Sequence, residues 1–168
     1  MKIIVRSEDS LREVANGDLN PDAILSVGDH DHWTWPLEGY LTTHAVVKID
    51  DVSVPNGLPS DPSRINVRRI ISFLDEFILD EKVETLLIHC LAGYSRSPAT
   101  AFIGHCMMLG YGKEHEAMKE TVESCELGDD ICPNDLIVAI ADSLLGRDGQ
   151  MINALRGKNE DRGIFIAR

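Results

Sequence analysis

Blocks of apolar residues alternate with polar segments along the chain, and their lengths and spacing predict strands and helices in turn. Three short apolar blocks, at 3–5, 23–27 and 44–49, are each followed closely by polar or glycine-containing segments, which is typical of strands. A fourth block, at 85–88, is apolar without alternation, as expected of a central strand that is covered on both faces. The pattern therefore predicts four strands.

Helical spacing of apolar positions occupies much of the chain between and after these blocks. It predicts a short helix that ends at Gly17, a long helix from about 61 to 79, and further helices beginning near 97, 113 and 133. Ser10 and Glu13 are interpreted as a capping box, and Asp61 and Pro62 as an N-cap followed by a first-turn proline. From Arg147 onward the pattern weakens, which predicts a loosely docked tail.

The order of elements predicts the fold class. Strands that alternate with helices and are then followed by helices alone indicate an α/β fold with a mostly parallel central sheet flanked by helices. The 168 residues, 43% of them hydrophobic and 26% charged, are enough for a single domain over 1–168 with a sizeable core. No apolar run approaches the roughly 20 residues that span a bilayer, and the first residues resemble a strand rather than a signal peptide. We therefore expect a cytoplasmic protein.

The net charge of the chain and the spacing of its cysteines limit the classes of molecule that it is expected to bind. The formal net charge of −12 repels nucleic acid and anionic lipid at long range, so neither a nucleic-acid nor a membrane partner is expected. The four cysteines form no CxxC pair and no zinc-like spacing with the six histidines, so no metal and no other cofactor is expected. Any anion that binds must be held by local geometry. The oligomeric state is not predicted.

The strongest chemical signal lies between the fourth predicted strand and the next helix. It reads His89-Cys90-Leu91-Ala92-Gly93-Tyr94-Ser95-Arg96-Ser97. A short loop from a buried strand to a helix N-terminus turns several backbone N–H groups inward, and the helix adds the positive end of its dipole. Gly93 permits a tight, left-handed turn, and the planar guanidinium of Arg96 can hold two phosphate oxygens. Residues 91–96 are therefore predicted to bind a phosphate dianion.

Cys90 lies at the mouth of this loop. The amides and the cation that bind phosphate also favour a thiolate, so Cys90 is the predicted nucleophile that attacks phosphorus and forms a phosphocysteine. Arg96 would then stabilise the charge of the transition state, and Ser97 would donate a hydrogen bond to the sulfur when it leaves. His89 is expected to bond the backbone and to hold the loop.

The sequence H-C-L-A-G-Y-S-R-S resembles the signature loop H-C-x5-R-S/T of the cysteine-based protein tyrosine phosphatases, and its second half is similar to that of dual-specificity phosphatases. IDDVSVPNG and CPNDLIVAIADSLLGRDG look similar to parts of small bacterial tyrosine-phosphatase-like proteins. The resemblance implies their fold and a phosphorylated protein or a small aryl or alkyl phosphate as substrate. The loop has no lysine at Leu91, Ala92 or Tyr94, which disfavours phosphoinositides.

The resemblance also implies an aspartate in an upstream loop that protonates the leaving oxygen and then activates water. Asp51 is preferred, because relatives carry an acidic pair before a proline-containing loop and use the second acid. Asp50 is the next candidate. Asp61 ranks third because its interpretation as an N-cap would occupy its oxygens. Asp51 lies 39 positions before Cys90, which is longer than is usual in the family, and GLPSDPS can account for the extra residues.

Two other groups of residues carry side chains capable of chemistry. The segment GDHDHWTW carries Asp29, His30, Asp31 and His32, but their spacing is not a ligand pattern on one face, so a loop at the rim of the site is favoured over a metal site. Trp33 or Trp35 would then flank a substrate ring. A redox pair of Cys125 with Cys132, or a protective disulfide of Cys106 with Cys90, is an alternative to simple burial, which is favoured for the helix positions 106 and 125.

Two functions of other classes stay open. One is a regulatory pseudo-phosphatase that binds phosphate but lacks an effective acid. The other is sulfur transfer, because rhodanese-like proteins also have a cysteine in an anion loop at a strand end. The His-Cys and Arg-Ser flanks favour the phosphatase.

Overall fold

The computed structural model of the chain describes residues 1–28 and 43–161. Its four strands are β1 (Lys2–Arg6), β2 (Ala23–Gly28), β3 (Thr43–Lys48) and β4 (Thr85–His89). They form one sheet in the order β1-β4-β2-β3, and all three pairings are parallel. The predicted α/β class with a parallel sheet is confirmed. The unbroken apolar run of β4 follows from its place inside the sheet, between β1 and β2.

Six helices and a short 3₁₀ turn at Gly128–Asp130 complete the described part of the chain. They are α1 (Ser10–Asn16), α2 (Arg64–Leu79), α3 (Arg96–Leu109), α4 (Glu114–Ser124), α5 (Asp135–Leu145) and α6 (Gln150–Asp161). Among the described residues, none of these helices is both long and apolar enough to cross a membrane.

The sheet separates two apolar layers. Alternate residues of a strand point to opposite faces, so Ile4, Ile24 and Leu87 pack with α1 on one face. The larger core lies on the other face, where Leu86 and Ile88 of β4 meet residues of the other helices. Helix α3 is buried along most of its length and contacts β1, β2 and β4 directly. The segment before α3 is therefore fixed between two buried elements.

Both predicted helix N-caps are wrong. Helix α1 begins at Ser10 itself, and the Ser10 hydroxyl donates to the carbonyl of Ser7 at 2.6 Å, so no capping box forms. Helix α2 begins at Arg64, and Ser63 is its N-cap. The carboxylate of Asp61 instead accepts from the backbone N–H groups of residues 56–58 at 2.6–3.0 Å. Backbone donors of the preceding loop therefore bind the carboxylate of Asp61 in place of the N–H groups of the helix.

The segment after Arg147, predicted to be a loosely docked tail, instead forms α6 as far as the structure describes it. Met151, Ala154 and Leu155 are buried against the core, and the helix contacts α4 and α5. The predicted helix stop at Gly146 is confirmed, with φ of 62°. Because the apolar stripe of α6 is only three residues wide, its pattern was too weak to predict the helix.

A buried ion pair ties the last helices to α3. Arg147 donates to Glu114 at 2.9 Å and to the carbonyl of Cys106 at 2.7 Å. Both charged side chains are less than 10% exposed. A buried pair can be nearly neutral for stability as a whole, but the loss of one partner leaves an uncompensated charge in the interior.

We expect Arg147→Met to lower the free energy of unfolding by about 3–5 kcal/mol, because it leaves Glu114 buried and unpaired. Urea denaturation of the variant and of the double variant Arg147→Met/Glu114→Gln checks this. The double variant should recover part of the loss. A loss below about 1 kcal/mol for the single variant would contradict the expectation.

Candidate active site

The loop of residues 90–95 joins the end of β4 to the start of α3. Cys90 follows the strand directly and is 2% exposed. The hydroxyl of Ser97, in the first turn of α3, donates to the Cys90 sulfur at 3.1 Å. The sulfur therefore lies at the positive end of a buried helix with a hydrogen-bond donor already in contact, which favours negative charge on it.

Three carbonyl groups of the loop point away from it towards two other segments of the chain. The carbonyl of Leu91 accepts from the N–H of Glu8 at 3.1 Å, and that of Tyr94 accepts from the N–H of Cys132 at 2.8 Å. The Ser95 carbonyl accepts from the N–H of Asn134 at 3.2 Å. The C=O and N–H groups of a trans peptide point in opposite directions, so the N–H groups of residues 92, 95 and 96 point to the inside of the loop. This arrangement suits an anion.

Gly93 has φ of 68°, in the left-handed region predicted for it. A Cβ atom at this position would also lie 3.0 Å from the backbone of Arg6 and Ser7. Any other residue would strain the turn and push the loop from the chain that supports it. Glycine is thus required here for two independent reasons.

The guanidinium of Arg96 is buried and directed to the segment after β3. Its Nη1 donates to the carbonyl of Ile49 at 3.1 Å, and its Nε lies 3.8 Å from Oδ2 of Asp51. These contacts hold the planar group beside the loop, where it can bind two oxygens of a phosphoryl group.

The three candidate acids have different positions. Asp51 is exposed and faces the loop, where Ser95 donates to its Oδ1 at 2.6 Å. Asp50 accepts from the hydroxyl of Ser60 at 2.7 Å, within its own loop. Asp61 is buried and bonded to backbone N–H groups. Of the three, Asp51 is the one whose carboxylate contacts the loop and Arg96.

Asn134 also contacts Asp51, and sequence reasoning missed it. Its side-chain amide donates to Oδ1 of Asp51 at 2.9 Å and to the carbonyl of Val52 at 3.2 Å. The same side chain is the N-cap of α5. Its position between Pro133 and an apolar helix could have predicted the cap, but nothing in the sequence connects it with an aspartate 83 positions earlier.

His89 is fully buried under the loop. Its Nε2 bonds the hydroxyl of Ser26, which in turn contacts Nε2 of His44 at 2.7 Å. The pKa of His89 is lowered from 6.5 to about 4, first by burial and then by the nearby His44, while a bond to the backbone of Cys90 acts in the opposite direction. His89 is therefore neutral at physiological pH, and its contacts join β2 to the backbone of Cys90.

The other residues predicted for the site lie around its mouth or apart from it. Leu91, Ala92 and Tyr94 are exposed, so they border the opening rather than fill it. Cys106 and Cys125 are buried thiols, and burial raises the pKa of each to about 12, as predicted for core positions. Cys132 is a half-buried free thiol. The histidine and tryptophan loop at 29–35 lies outside the described residues.

Neither a family model nor a curated protein matches the chain, but solved structures do. Cydia Pomonella PTP-2 phosphatase superposes with a TM-score of 0.60 at 20% identity, covering 85% of each chain. The fold is that of the tyrosine and dual-specificity phosphatases. The Yvh1 phosphatase domain from Chaetomium thermophilum gives 0.57 at 20% identity, over 89% of this chain and 93% of that one. A human tyrosine phosphatase-like serine/threonine/tyrosine-interacting protein gives 0.57 at 19% identity, over 84% and 85%.

These comparisons confirm, at the level of fold, the resemblance predicted from the loop between β4 and α3. A bacterial source and a cytoplasmic location stay predictions. At these identities the likeness carries the fold alone, so the chemistry must be argued from this chain's own residues.

The low pKa of His89 predicts a specific loss of stability in acid. The unfolded chain binds a proton at His89 near pH 6.5 and the folded chain only near pH 4, so unfolding takes up a proton between these values. The free energy of unfolding should therefore fall as pH decreases through this window, by up to about 3 kcal/mol from this residue. His89→Asn should remove that part of the slope.

Urea denaturation at pH 7 and at pH 4.5 checks this difference. His105, whose pKa burial also lowers to about 4, stays in the variant and keeps its own share of the slope. His105→Asn is thus a matched control for a buried histidine away from the loop. An identical pH dependence in the wild-type protein and His89→Asn would contradict the expectation.

Proposed function

We propose that the chain is a cysteine-dependent phosphatase that hydrolyses phosphomonoesters of the protein tyrosine or dual-specificity type. The observation that carries the proposal is the contact between Ser97 and the Cys90 sulfur at the N-terminus of α3, beside Arg96 and Asp51. Nucleophile, anion clamp and carboxyl group meet at one loop. The fold shared with phosphatases supports the same conclusion.

The first step forms a sulfur–phosphorus bond. The Cys90 thiolate attacks phosphorus, the bond to the ester oxygen breaks, and Asp51 gives its proton to that oxygen. Arg96 and the inward N–H groups of the loop stabilise the phosphoryl oxygens in the transition state.

The second step releases phosphate. Asp51, now ionised, accepts a proton from the attacking water as the oxygen–phosphorus bond forms. The sulfur–phosphorus bond breaks, and the Ser97 hydroxyl stabilises the departing thiolate. His89 keeps Cys90 in place through a hydrogen bond to its backbone. Leu91 and Tyr94, exposed at the rim, offer apolar surface to an aryl leaving group.

A regulatory phosphate-binding protein is the second candidate, because one structural neighbour is named as a phosphatase-like interacting protein. The contact of Asp51 with the loop favours the enzyme, since a binding protein needs no acid there. Sulfur transfer is disfavoured because the His89-Cys90 and Arg96-Ser97 flanks of the loop resemble those of phosphatases.

The role of Cys90 as the nucleophile is tested by measuring the hydrolysis of p-nitrophenyl phosphate in the presence of EDTA. We expect vanadate-sensitive turnover by the wild-type protein and a loss of about 10³-fold or more in Cys90→Ser, because no other group can form the covalent intermediate. Cys132→Ser is the matched control for an accessible thiol and should retain activity. Absence of Cys90-dependent turnover would contradict the enzyme and favour the binding protein.

A comparison of Asp51→Asn with Asp50→Asn tests which aspartate is the general acid. We expect Asp51→Asn to lower kcat/KM by about 10²-fold or more and to lose the alkaline limb of the pH–rate profile, since it cannot donate a proton. Asp50→Asn removes a neighbouring charge of the same kind and should keep both limbs. The assignment is wrong if the two variants behave alike.

A further inference from the structure

We propose that the exposed face of the first half of α2 is a docking site for an acidic segment of a phosphoprotein substrate. This arginine face is formed by residues that recur at helical spacing and line a shallow groove of about 270 Å³, namely Ile65, Arg68, Arg69, Ser72 and Phe73. The inference rests on the proposed phosphatase function and names a class of substrate for it.

The arginines of this face are not neutralised by the protein itself. Arg68 and Arg69 are exposed, and within residues 1–28 and 43–161 neither forms an ion pair with a carboxylate. The helix positions three and four residues before and after them hold no acid, and Arg64 precedes Arg68 by one turn as a like charge. Positive charge is thus concentrated locally in a chain whose net charge is −12.

Helix stability does not explain this placement of charge. The N-terminus of a helix carries the positive end of its dipole, so acids stabilise it and cations destabilise it. Arg64 occupies the first turn of α2, which contains no acid, and Arg68 and Arg69 follow in the second turn. Asp75 and Glu76 lie in the second half of the helix. This order is the reverse of the one that favours the helix, so the arginines are better explained by binding than by folding.

An apolar surface accompanies the positive charge. Ile65 is 66% exposed at one end of the groove, and Phe73 is half-buried at the other. An apolar side chain of a partner would remove both from water, while carboxylates bind the planar guanidinium groups. The surface therefore matches a peptide with several acidic residues and an apolar one. A nucleic acid matches it less well, because its extended negative charge would also meet the acidic remainder of the protein.

The buried side of α2 joins the arginine face to the candidate active site. The side-chain amide of Asn66 donates to the carbonyl of Lys48 at 3.4 Å and to that of Asp61 at 3.1 Å. The next carbonyl along the chain, that of Ile49, accepts from the guanidinium of Arg96 at 3.1 Å. A segment docked on α2 is therefore held at a fixed place relative to Arg96. Docking would raise the effective concentration of a phosphorylated residue of the same substrate at the active site.

Binding is tested by fluorescence anisotropy with a fluorescein-labelled, glutamate-rich peptide that contains one leucine. At physiological ionic strength the Debye length is about 8 Å, so the peptide responds to nearby charges more than to the net charge of the chain. We expect Arg68→Glu/Arg69→Glu to raise the Kd about tenfold or more, because two attractive contacts become repulsive. Ile65→Ser should raise the Kd about threefold with no change of charge.

Matched variants separate this surface from general effects. Arg12→Glu/Arg156→Glu makes the same change of net charge at exposed arginines of α1 and α6, and the Kd should stay within about twofold of the wild-type value. Leu79→Ser removes another exposed apolar side chain of α2, 72% exposed at its far end, and should also leave the Kd unchanged. A peptide with glutamine in place of glutamate should not distinguish the wild-type protein from Arg68→Glu/Arg69→Glu.

The link to substrate is tested with two phosphotyrosine peptides that differ only in an attached tail. One tail is the glutamate-rich segment and the other its glutamine counterpart, each on a Gly/Ser linker of about 15 residues that spans about 20 Å. We expect the ratio of kcat/KM for the acidic to the neutral peptide to fall about fivefold or more in Arg68→Glu/Arg69→Glu. Arg12→Glu/Arg156→Glu should keep the wild-type ratio. The ratio is independent of the folded fraction, since both peptides are assayed on one sample.

Equal binding of the acidic peptide to the wild-type protein and to Arg68→Glu/Arg69→Glu overturns the inference. Arginine-dependent binding with an unchanged kcat/KM ratio also overturns it, because the partner is then not a substrate. A wild-type dimer that Arg68→Glu/Arg69→Glu dissociates in sedimentation overturns it as well, because the occupant is then a second copy of the chain.

The two proposals can fail separately. If the wild-type protein hydrolyses both phosphopeptides with the same kcat/KM, the phosphatase function stands and the docking inference is wrong. If the acidic peptide binds as expected but neither phosphopeptide shows Cys90-dependent hydrolysis, the phosphatase function fails, and the arginine face is retained as a site for an acidic partner.

Discussion

The site depends on how the peptide groups of the loop at 90–95 are satisfied after the chain leaves β4. Three carbonyls of this loop find donors outside it, on Glu8, Cys132 and Asn134. These bonds fix the direction in which each of the three peptide units turns. The donors come from the end of β1 and from the approach to α5, which are distant in sequence. The anion loop is therefore shaped by the whole fold rather than by its own residues.

The same peptide orientation supports the proposed anion binding despite the net charge of −12. Long-range electrostatic attraction is absent, but within a few ångströms the electrostatic potential is set by backbone dipoles and by the guanidinium of Arg96. Arg96 is anchored by the carbonyl of Ile49 at 3.1 Å, and its Nε lies 3.8 Å from Oδ2 of Asp51. The guanidinium is thus held beside the loop.

Local pattern was enough to predict the sheet and most of the helices. The strands at 3–5 and 85–88 were predicted within one residue at each end, because period and burial are encoded in neighbouring side chains. The left-handed turn at Gly93 was also predictable, since few other residues tolerate it. These features need no information from distant segments.

The wrong or missing predictions concern features that depend on contacts between residues brought together only by folding. Asp61 looked like an N-cap, but the N–H groups of residues 56–58 compete for its carboxylate, and only the folded loop brings them close. Helix α6 is stabilised by its contacts with α4 and α5, whose surfaces no local pattern describes. The contact of Asn134 with Asp51 was missed for the same reason, because it joins residues 83 positions apart.

The loop that follows β3 explains why Asp51 and Cys90 are so far apart in sequence. Asp50 and Ser60 bond each other twice, through the Asp50 N–H to the Ser60 carbonyl at 2.7 Å and through the Ser60 hydroxyl to the Asp50 carboxylate. The residues between them form a closed loop that returns to its starting point, so its length adds no distance between Asp51 and Cys90. The same closure occupies Asp50 and leaves its neighbour to face Arg96. The additional residues of this loop therefore explain the long spacing in sequence. They also explain why Asp50 is bonded within the loop while Asp51 is not.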